Sequence, residues 1–534
     1  MSRSTTRRGA VAATVVTCTL LGATLAAQLP ALADNPVPAV SADAVLGGNI
    51  HNVIYLLGDG MGRTHVTAGR ERFYGAAGKL NMEKFPVVGQ VATYAVEKGT
   101  AQPSLVTDSA SSATAWSSGV KTYNAALGVD SYEKRVSTLM ERAHAAGLRT
   151  GNVSTAEVTD ATPAGMYSHA LLRGCQGPVF SEAACIPKGE TAPADKTLIT
   201  PIAEQISTNG VADVILGGGL GRFEPADATS LTKQGYTVLG SFGDPALGTD
   251  NGAQTAASQQ VATSADLKAT TADRVIGLFN RGNMTVETSK AAADSTSPVK
   301  AEPSLPEMTG KAISLLNTAK NTKGFILQIE GALIDKRSHA NDAAQTLGEI
   351  KAFDDAVKVA RDFAEKDGHT LVIVTADHEC AGFNIIEKGS ITNAEAKTPP
   401  GNVDGGNPAN SSTNVRKSSG AIDPLRSSGI QNGAGLAGTN PAGNFAPATF
   451  RTADDAAGVL DGSPEASLWL TYLSGNHTGA DVPIFAFGPG STALGASLNN
   501  IDLFGIMLTS LGLNPSSSTG LPGLPALPGA VRVK

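Results

Sequence analysis

An α/β fold on a large, mostly parallel sheet covered by helices is what this sequence predicts, and three observations predict it. Short apolar, β-branched runs alternate with segments of helical period. Strand, helix and strand follow one another in the order that a right-handed crossover between parallel strands requires. Residues able to do chemistry fall repeatedly just beyond predicted strands, at the edge where open α/β sheets bind ligands.

The predicted strands are, in order, "NVIYLL" (52–57), "RTGNVS" (149–154), "VADVIL" (211–216), "GFILQI" (324–329), "TLVIVT" (370–375) and "VPIFAF" (482–487). The clearest helix places Leu347, Ile350, Phe353, Val357, Ala360 and Phe363 at three- and four-residue steps and stops near Asp367 and Gly368. From about 398 to 450 Gly, Asn, Ser, Pro and Ala dominate without period. This reads as a long irregular insertion, a mobile surface loop in preference to a substrate-side lid. A Pro/Gly/Ser-rich tail follows from about 514.

Arg3, Arg7 and Arg8 precede an uncharged stretch, Gly9 to Ala33, that closes with "ALA" before Asp34. The pattern is that of a signal peptide over 1–33, leaving a single domain over 34–534. The stretch is long enough to span a bilayer, but its Ala and Thr content, Pro30 and the small-residue cleavage pattern favour removal over a retained anchor. The Arg7–Arg8 pair matches a twin-arginine signal only weakly, so the general secretory route is preferred. Loss of 1–33 removes three arginines and no acid, taking the formal charge from −7 to −10 (38 basic against 48 acidic). That balance argues against a nucleic-acid partner. No later apolar run is long enough to span a membrane, so the expected product is soluble, secreted or periplasmic. Cys175 and Cys185 are close together in "RGCQGPVFSEAACIPKG", which for an exported chain reads as one local disulfide. Cys380 is left as an inert buried thiol.

Ser109 opens the run "SASSATAW" directly after Asp108. A helix N-terminus explains that placement without any function, with Asp108 or Ser109 as cap. A hydroxyl there could also attack or hold a phosphate, because the orphan amides and the dipole favour negative charge. "GDGMG" sets Asp59 between glycines after the first strand. Glu330, Asp335, Lys336 and His339 follow the fourth strand, Asp377 and His378 the fifth, and His477 in "GNHTG" precedes the last. Asp335 and His339, four apart, share one helical face and could hold a cation, although such a pair alone is more often a surface ion pair. Carboxylates with imidazoles suit zinc, whereas carboxylate and hydroxyl oxygens suit magnesium.

With these residues in view, "GDGMG", "TDSASSATAW", "GNVSTAEVTDATPA", "DVILGGG", "EGALIDKRSH" and "TADHE", with "HTG" near the end, resemble the metal-dependent secreted alkaline phosphatases of bacteria, in that family's order and over roughly 50–490. The resemblance implies a three-layer α/β/α sandwich, a homodimer, and hydrolysis of small-molecule phosphate monoesters through a phosphoserine. It implies Ser109 as nucleophile and Arg173 in "LLRGCQG" as the phosphate-gripping group. It implies two Zn2+, one at Asp335, His339 and His477 and one at Asp59, Asp377 and His378, and one Mg2+ at Asp59, Thr162 and Glu330. Asp160 and Lys336 match the supporting acid and lysine of enteric members, which favours magnesium in the third site. The resemblance has limits: Cys380 lacks the partner that a second disulfide would need, and the insertion at 398–450 is longer than in those members. A phosphodiesterase or sulfatase of the same superfamily, and a non-catalytic phosphate-binding module, are the competing readings. The Thr162 and Glu330 pair and Arg173 count against the first, and the intact nucleophile with a complete ligand set counts against the second.

Overall fold

Ten strands of the computed structural model form one sheet: β1 Asn52–Gly58, β2 Val87–Ala92, β3 Arg149–Glu157, β4 Val214–Gly218, β5 Thr237–Leu239, β6 Val275–Leu278, β7 Phe325–Gly331, β8 Thr370–Thr375, β9 Val482–Phe487 and β10 Ser497–Asn499. The structure describes residues 50–178, 182–243, 259–390, 447–473 and 475–514. The chain divides into two units, Met1–Val40 and Ser41–Lys534, and every described residue belongs to the second. The expected signal segment, residues 391–446, which include most of the expected insertion at 398–450, and the tail beyond Asn514 lie outside the described residues. Within the expected insertion, Ala448–Phe450 form a short strand. Among the described residues no helix is long and apolar enough to cross a membrane.

The spatial order is β10-β2-β9-β8-β1-β7-β3-β4-β6-β5. Nine strands run one way and β9 alone is reversed, since it pairs antiparallel with both β8 and β2. β1, β7 and β8 are buried along their whole length. Burial on both faces is why the sequence shows continuous apolar runs there and no alternation. The six predicted strands all form; β2, β5, β6 and β10 are additional. They are short, polar-interrupted or near the sheet's edges, so their pattern is weak.

Helices cover both faces of the sheet. On one face lies α4, Ala343–Asp367, whose periodic residues Leu347, Ile350, Phe353, Val357 and Ala360 are buried. It ends where expected, with Gly368 at φ 73° as a left-handed cap. α1, Ser109–Ser118, belongs to the helices of the other face. Two short helices sit at the strand ends: α2, Ala161–Ala164, and α3, Leu333–His339.

Candidate active site

Every candidate residue of the sequence reading except Arg173 and the cysteines lies at a strand end, at a helix start, or in the turn or short helix next to a strand end. The chain turns sharply after β1 at Gly60, whose φ is 68° and whose missing Cβ would stand 2.8 Å from Asp335 Oδ1 and from Cys380 Cβ. Only glycine allows that approach. It leaves Asp59 buried beside the elements carrying Asp335 and Asp377.

α1 begins with a capping box. Asp108 Oδ1 accepts from the backbone N–H of Ser111 at 2.9 Å, and the Ser111 hydroxyl is the reciprocal partner of the Asp108 backbone N–H. The bland reading of this stretch is therefore correct for Asp108, and it frees Ser109 from capping. Ser109 Oγ instead stands 3.3 Å from Nε2 of His378. It lines a cavity of about 570 Å³ together with Arg173, Asp335, Lys336, His339 and His477.

Arg173 reaches that cavity from the loop before the Cys175–Cys185 disulfide, which is formed with a Cα–Cα distance of 4.5 Å. Its guanidinium is held by two carboxylates, Nη1 to Asp108 Oδ2 at 3.2 Å and Nη2 to Asp160 Oδ1 at 2.9 Å. Asp160 Oδ2 also accepts from Lys336 Nζ at 2.7 Å. Burial opposes the Asp160 charge, but Lys336 and Arg173 outweigh it and hold the carboxyl well below its usual range. Asp160 thus sets the aim of both cations.

The imidazoles converge with their outer nitrogens already committed. His339 Nδ1 lies 2.5 Å from the carbonyl of Gly475, and His477 Nδ1 lies 3.0 Å from that of Thr107. Their Nε2 atoms face each other at 3.1 Å. With both Nδ1 atoms donating to carbonyls, two neutral rings face each other with bare Nε2 lone pairs, an arrangement that fits a shared electrophile. Asp335 supplies charge to it: Oδ2 is 3.2 Å from His339 Nε2, and Oδ1 is 3.6 Å from His477 Nε2. Burial, aided by His378, lowers His477 to about 3, so its ring is neutral and available as a ligand. Cys380, which the sequence reading leaves inert, joins this group. It pairs opposite His477 in the ribbon of Glu379–Cys380 with His477–Thr478, and burial holds its thiol protonated.

A second group is deeper. Asp377 Oδ1 accepts from the backbone N–H groups of Gly60 and His378, at 2.9 and 3.0 Å, leaving Oδ2 buried 3.1 Å from His378 Nε2. Donor atoms of Asp59, Asp335 and His378 lie within 4.8 Å of one another, as do those of Asp335, His339, Cys380 and His477. Burial and the neighbouring Asp377, Asp335 and Glu330 push Asp59 far above the carboxylate range. Burial likewise takes Glu330 up to about 7, against the hydrogen bond from Ser154. Side-chain oxygens of Asp59, Thr162, Asp335 and Asp377 are buried without a hydrogen-bond partner. Acids this crowded and this unsatisfied fit bound divalent cations, which would replace the missing partners and lower every one of these carboxyls. Ser154, one register step across from Glu330, is a supporting residue that the sequence reading missed; its place at the end of a predicted strand was the available signal.

Of the five remaining histidines His144 is exposed and four make packing or hydrogen-bond contacts. His65 is buried between Ser338 and Phe383, His169 bonds to Gly128 and Glu141, and His51 stacks on His369.

Residues 50–407 match the family model described as "Alkaline phosphatase". The chain is 44% identical over 346 residues to the alkaline phosphatase of Escherichia coli strain K12, covering 61% of this chain and 69% of that one. A variant of the alkaline phosphatase from the Antarctic bacterium TAB5, described with Mg bound in its M3 site, superposes with a TM-score of 0.56 at 25% identity over 88% of this chain and 99% of that one. The alkaline phosphatase of Thermus thermophilus has the same fold, with a TM-score of 0.61 at 22% identity over 91% and 96%.

Proposed function

The chain belongs to the alkaline phosphatase family and is a phosphate-monoester hydrolase, and from that premise we propose that it works through a phosphoserine at Ser109 beside two zinc ions and one magnesium ion. The observation that carries this reading is the Ser109 hydroxyl. It sits at the start of α1, unused as a cap, between His378 and a cavity that also holds Arg173, His339 and His477.

Asp335, His339 and His477 would hold one zinc, and Asp59, Asp377 and His378 the other, because mixed imidazole and carboxylate donors suit that metal. Asp59, Thr162 and Glu330 offer only oxygen and would hold magnesium; the Mg described in the TAB5 variant supports magnesium as one of the metals. When bound, such cations supply Lewis-acid activation of the attacking oxygen and stabilisation of the leaving one.

The protein's own groups do the rest. Arg173 presents a planar fork to two non-bridging phosphate oxygens. Asp108 and Asp160 hold that fork in the cavity and would share it with the substrate. The backbone N–H groups at the start of α1 that Asp108 does not cap would face the developing charge. Ser109 Oγ attacks phosphorus and the ester P–O bond breaks, releasing the alcohol with a proton. Water then attacks the phosphoserine, the P–Oγ bond breaks, and inorganic phosphate leaves with Ser109 restored. A monoester keeps three non-bridging oxygens, two for this fork and a third for the cations, whereas a diester keeps only two; this favours monoesters.

We further infer export with removal of residues 1–33, supported by the N-terminal pattern and the disulfide, and a homodimer, supported by family resemblance, which light scattering would test. Steady-state hydrolysis of an aryl phosphate monoester beside the matching diester and sulfate, with metal content measured on the same sample, tests the function. A monoester preference with zinc and magnesium bound is expected. A diester preference would refute the reading.

A further inference from the structure

Tyr55 of β1, Gln328 of β7 and Asn152 of β3 stand in one row across the sheet, in direct register on neighbouring strands. All three are buried, and a polar row in a sheet's interior costs stability unless its members find partners. Gln328 finds two. Its Oε1 accepts from Trp116 Nε1 at 3.3 Å, and its Nε2 donates to the carbonyl of Thr162 at 3.0 Å. A donor on one side and an acceptor on the other fix the amide in one orientation. Asn152 Nδ2 donates to the next carbonyl, Pro163, at 2.9 Å. Tyr55 packs its ring against Trp116, 5.8 Å between centroids.

Neither Gln328 nor Asn152 is among the residues that line the cavity. Their amides hold the main chain of Thr162 and Pro163 from below, while the Thr162 hydroxyl is buried with no partner of its own. Trp116 belongs to α1, the helix that Ser109 begins. Gln328 therefore bonds, from inside the sheet, both the nucleophile's helix and the segment carrying Thr162.

We propose that Gln328 is a positioning residue that couples magnesium retention to the seating of α1, with Asn152 as a second clamp on the same segment. The proposal rests on the reading of Asp59, Thr162 and Glu330 as magnesium ligands. It extends that reading to residues that touch neither metal nor substrate.

The test uses the zinc-loaded, full-length enzyme. Magnesium affinity is measured by calorimetric titration, zinc content on the same sample, and tryptophan packing by near-ultraviolet circular dichroism; the chain has only two tryptophans. Gln328→Met keeps the length and removes both hydrogen bonds. It should weaken magnesium binding about tenfold or more, as loss of a ligand's support usually does, with zinc content unchanged. Gln328→Glu, measured at a pH alkaline enough to ionise a buried carboxyl, keeps the acceptor for Trp116 and loses the donor to Thr162. It should weaken magnesium like Gln328→Met while leaving the tryptophan signal like the parent's. If Gln328→Met does not fold, Asn152→Ala removes only the Pro163 bond and should give the same effect at smaller amplitude. Magnesium affinity within about twofold of the parent in these variants would overturn the proposal. So would magnesium loss that comes only together with zinc loss, the mark of general loosening. Thr162→Val separates the two layers: if it binds magnesium as the parent does, the ligand reading falls and takes the proposal with it. If it loses magnesium and Gln328→Met does not, the proposal alone falls.

Discussion

Ser109 Oγ and His378 Nε2 meet at 3.3 Å although 269 positions separate them in the chain. The contact joins the first residue of a helix on one face of the sheet to a turn beyond β8, and it puts the hydroxyl at the entrance to the buried acid cluster. If Ser109 is the nucleophile, turnover has two chemical steps, and the second consumes hydroxide-like water that is scarce in acid. Covalent phosphate should therefore accumulate on Ser109 when the enzyme is mixed with substrate at about pH 5 and quenched, and should decline toward alkaline pH. Ser109→Ala should trap none and lose most of its rate. Phosphate mapped to Ser111 or Ser112 would return Ser109 to a structural part.

The facing nitrogens of His339 and His477 predict a metal between them. His477→Ala should lose about one zinc per chain by metal analysis, and chelation should abolish activity that zinc and magnesium together restore better than either alone. Full zinc and full rate in His477→Ala would refute the site.

Arg173→Ala removes a charged fork and leaves Asp108 and Asp160 without their shared partner. Loss of charge-assisted hydrogen bonds to phosphate should lower kcat/KM by roughly ten- to a hundredfold and weaken inhibition by inorganic phosphate. Arg173→Lys should rescue little of it, because an ammonium cannot grip two oxygens in plane. Equal rescue by lysine would show that only charge matters there.

Away from the site, Glu349 of α4 is buried, accepts from the backbone N–H of Glu287 at 2.7 Å, and is pushed by burial up to about 8. An acid whose folded value is raised keeps a proton that the unfolded chain has already released. Its contribution is thus intact in acid and is lost as pH climbs from the ordinary glutamate range to about 8. Glu349→Gln, compared with the parent by thermal unfolding, should change little near pH 4 and stabilise above pH 8 by on the order of 1–3 kcal/mol. Stabilisation confined to acid would reverse the sign and refute it.

Peptide mapping without reduction should join Cys175 to Cys185 and leave Cys380, fully buried, unreactive to alkylation until the chain unfolds. The closed loop is short and worth at most about 3 kcal/mol. A Cys380 crosslink would contradict the structure.

The sequence by itself determined the strands that are buried on both faces, because a continuous apolar run such as "TLVIVT" can satisfy its backbone and bury its side chains only inside a covered parallel sheet. It determined α4 to within a turn, because period and a glycine stop are local properties. It placed Asp59, Glu330, Asp335, Asp377 and His378 beyond strand ends, which a one-dimensional pattern can do. What it could not decide was which ends meet. His477 precedes its strand where the other ligands follow theirs, and it reaches the same edge only because β9 alone runs backwards in the sheet. Strand direction is set by long-range pairing and leaves no local mark. The same holds for Arg173, carried into the cavity by a loop and aimed by Asp108 and Asp160, and for Gln328, whose apolar-looking strand gives no sign that its amide bonds both α1 and Thr162. Side-chain partners across the sheet come from register, and register exists only once the strands have met.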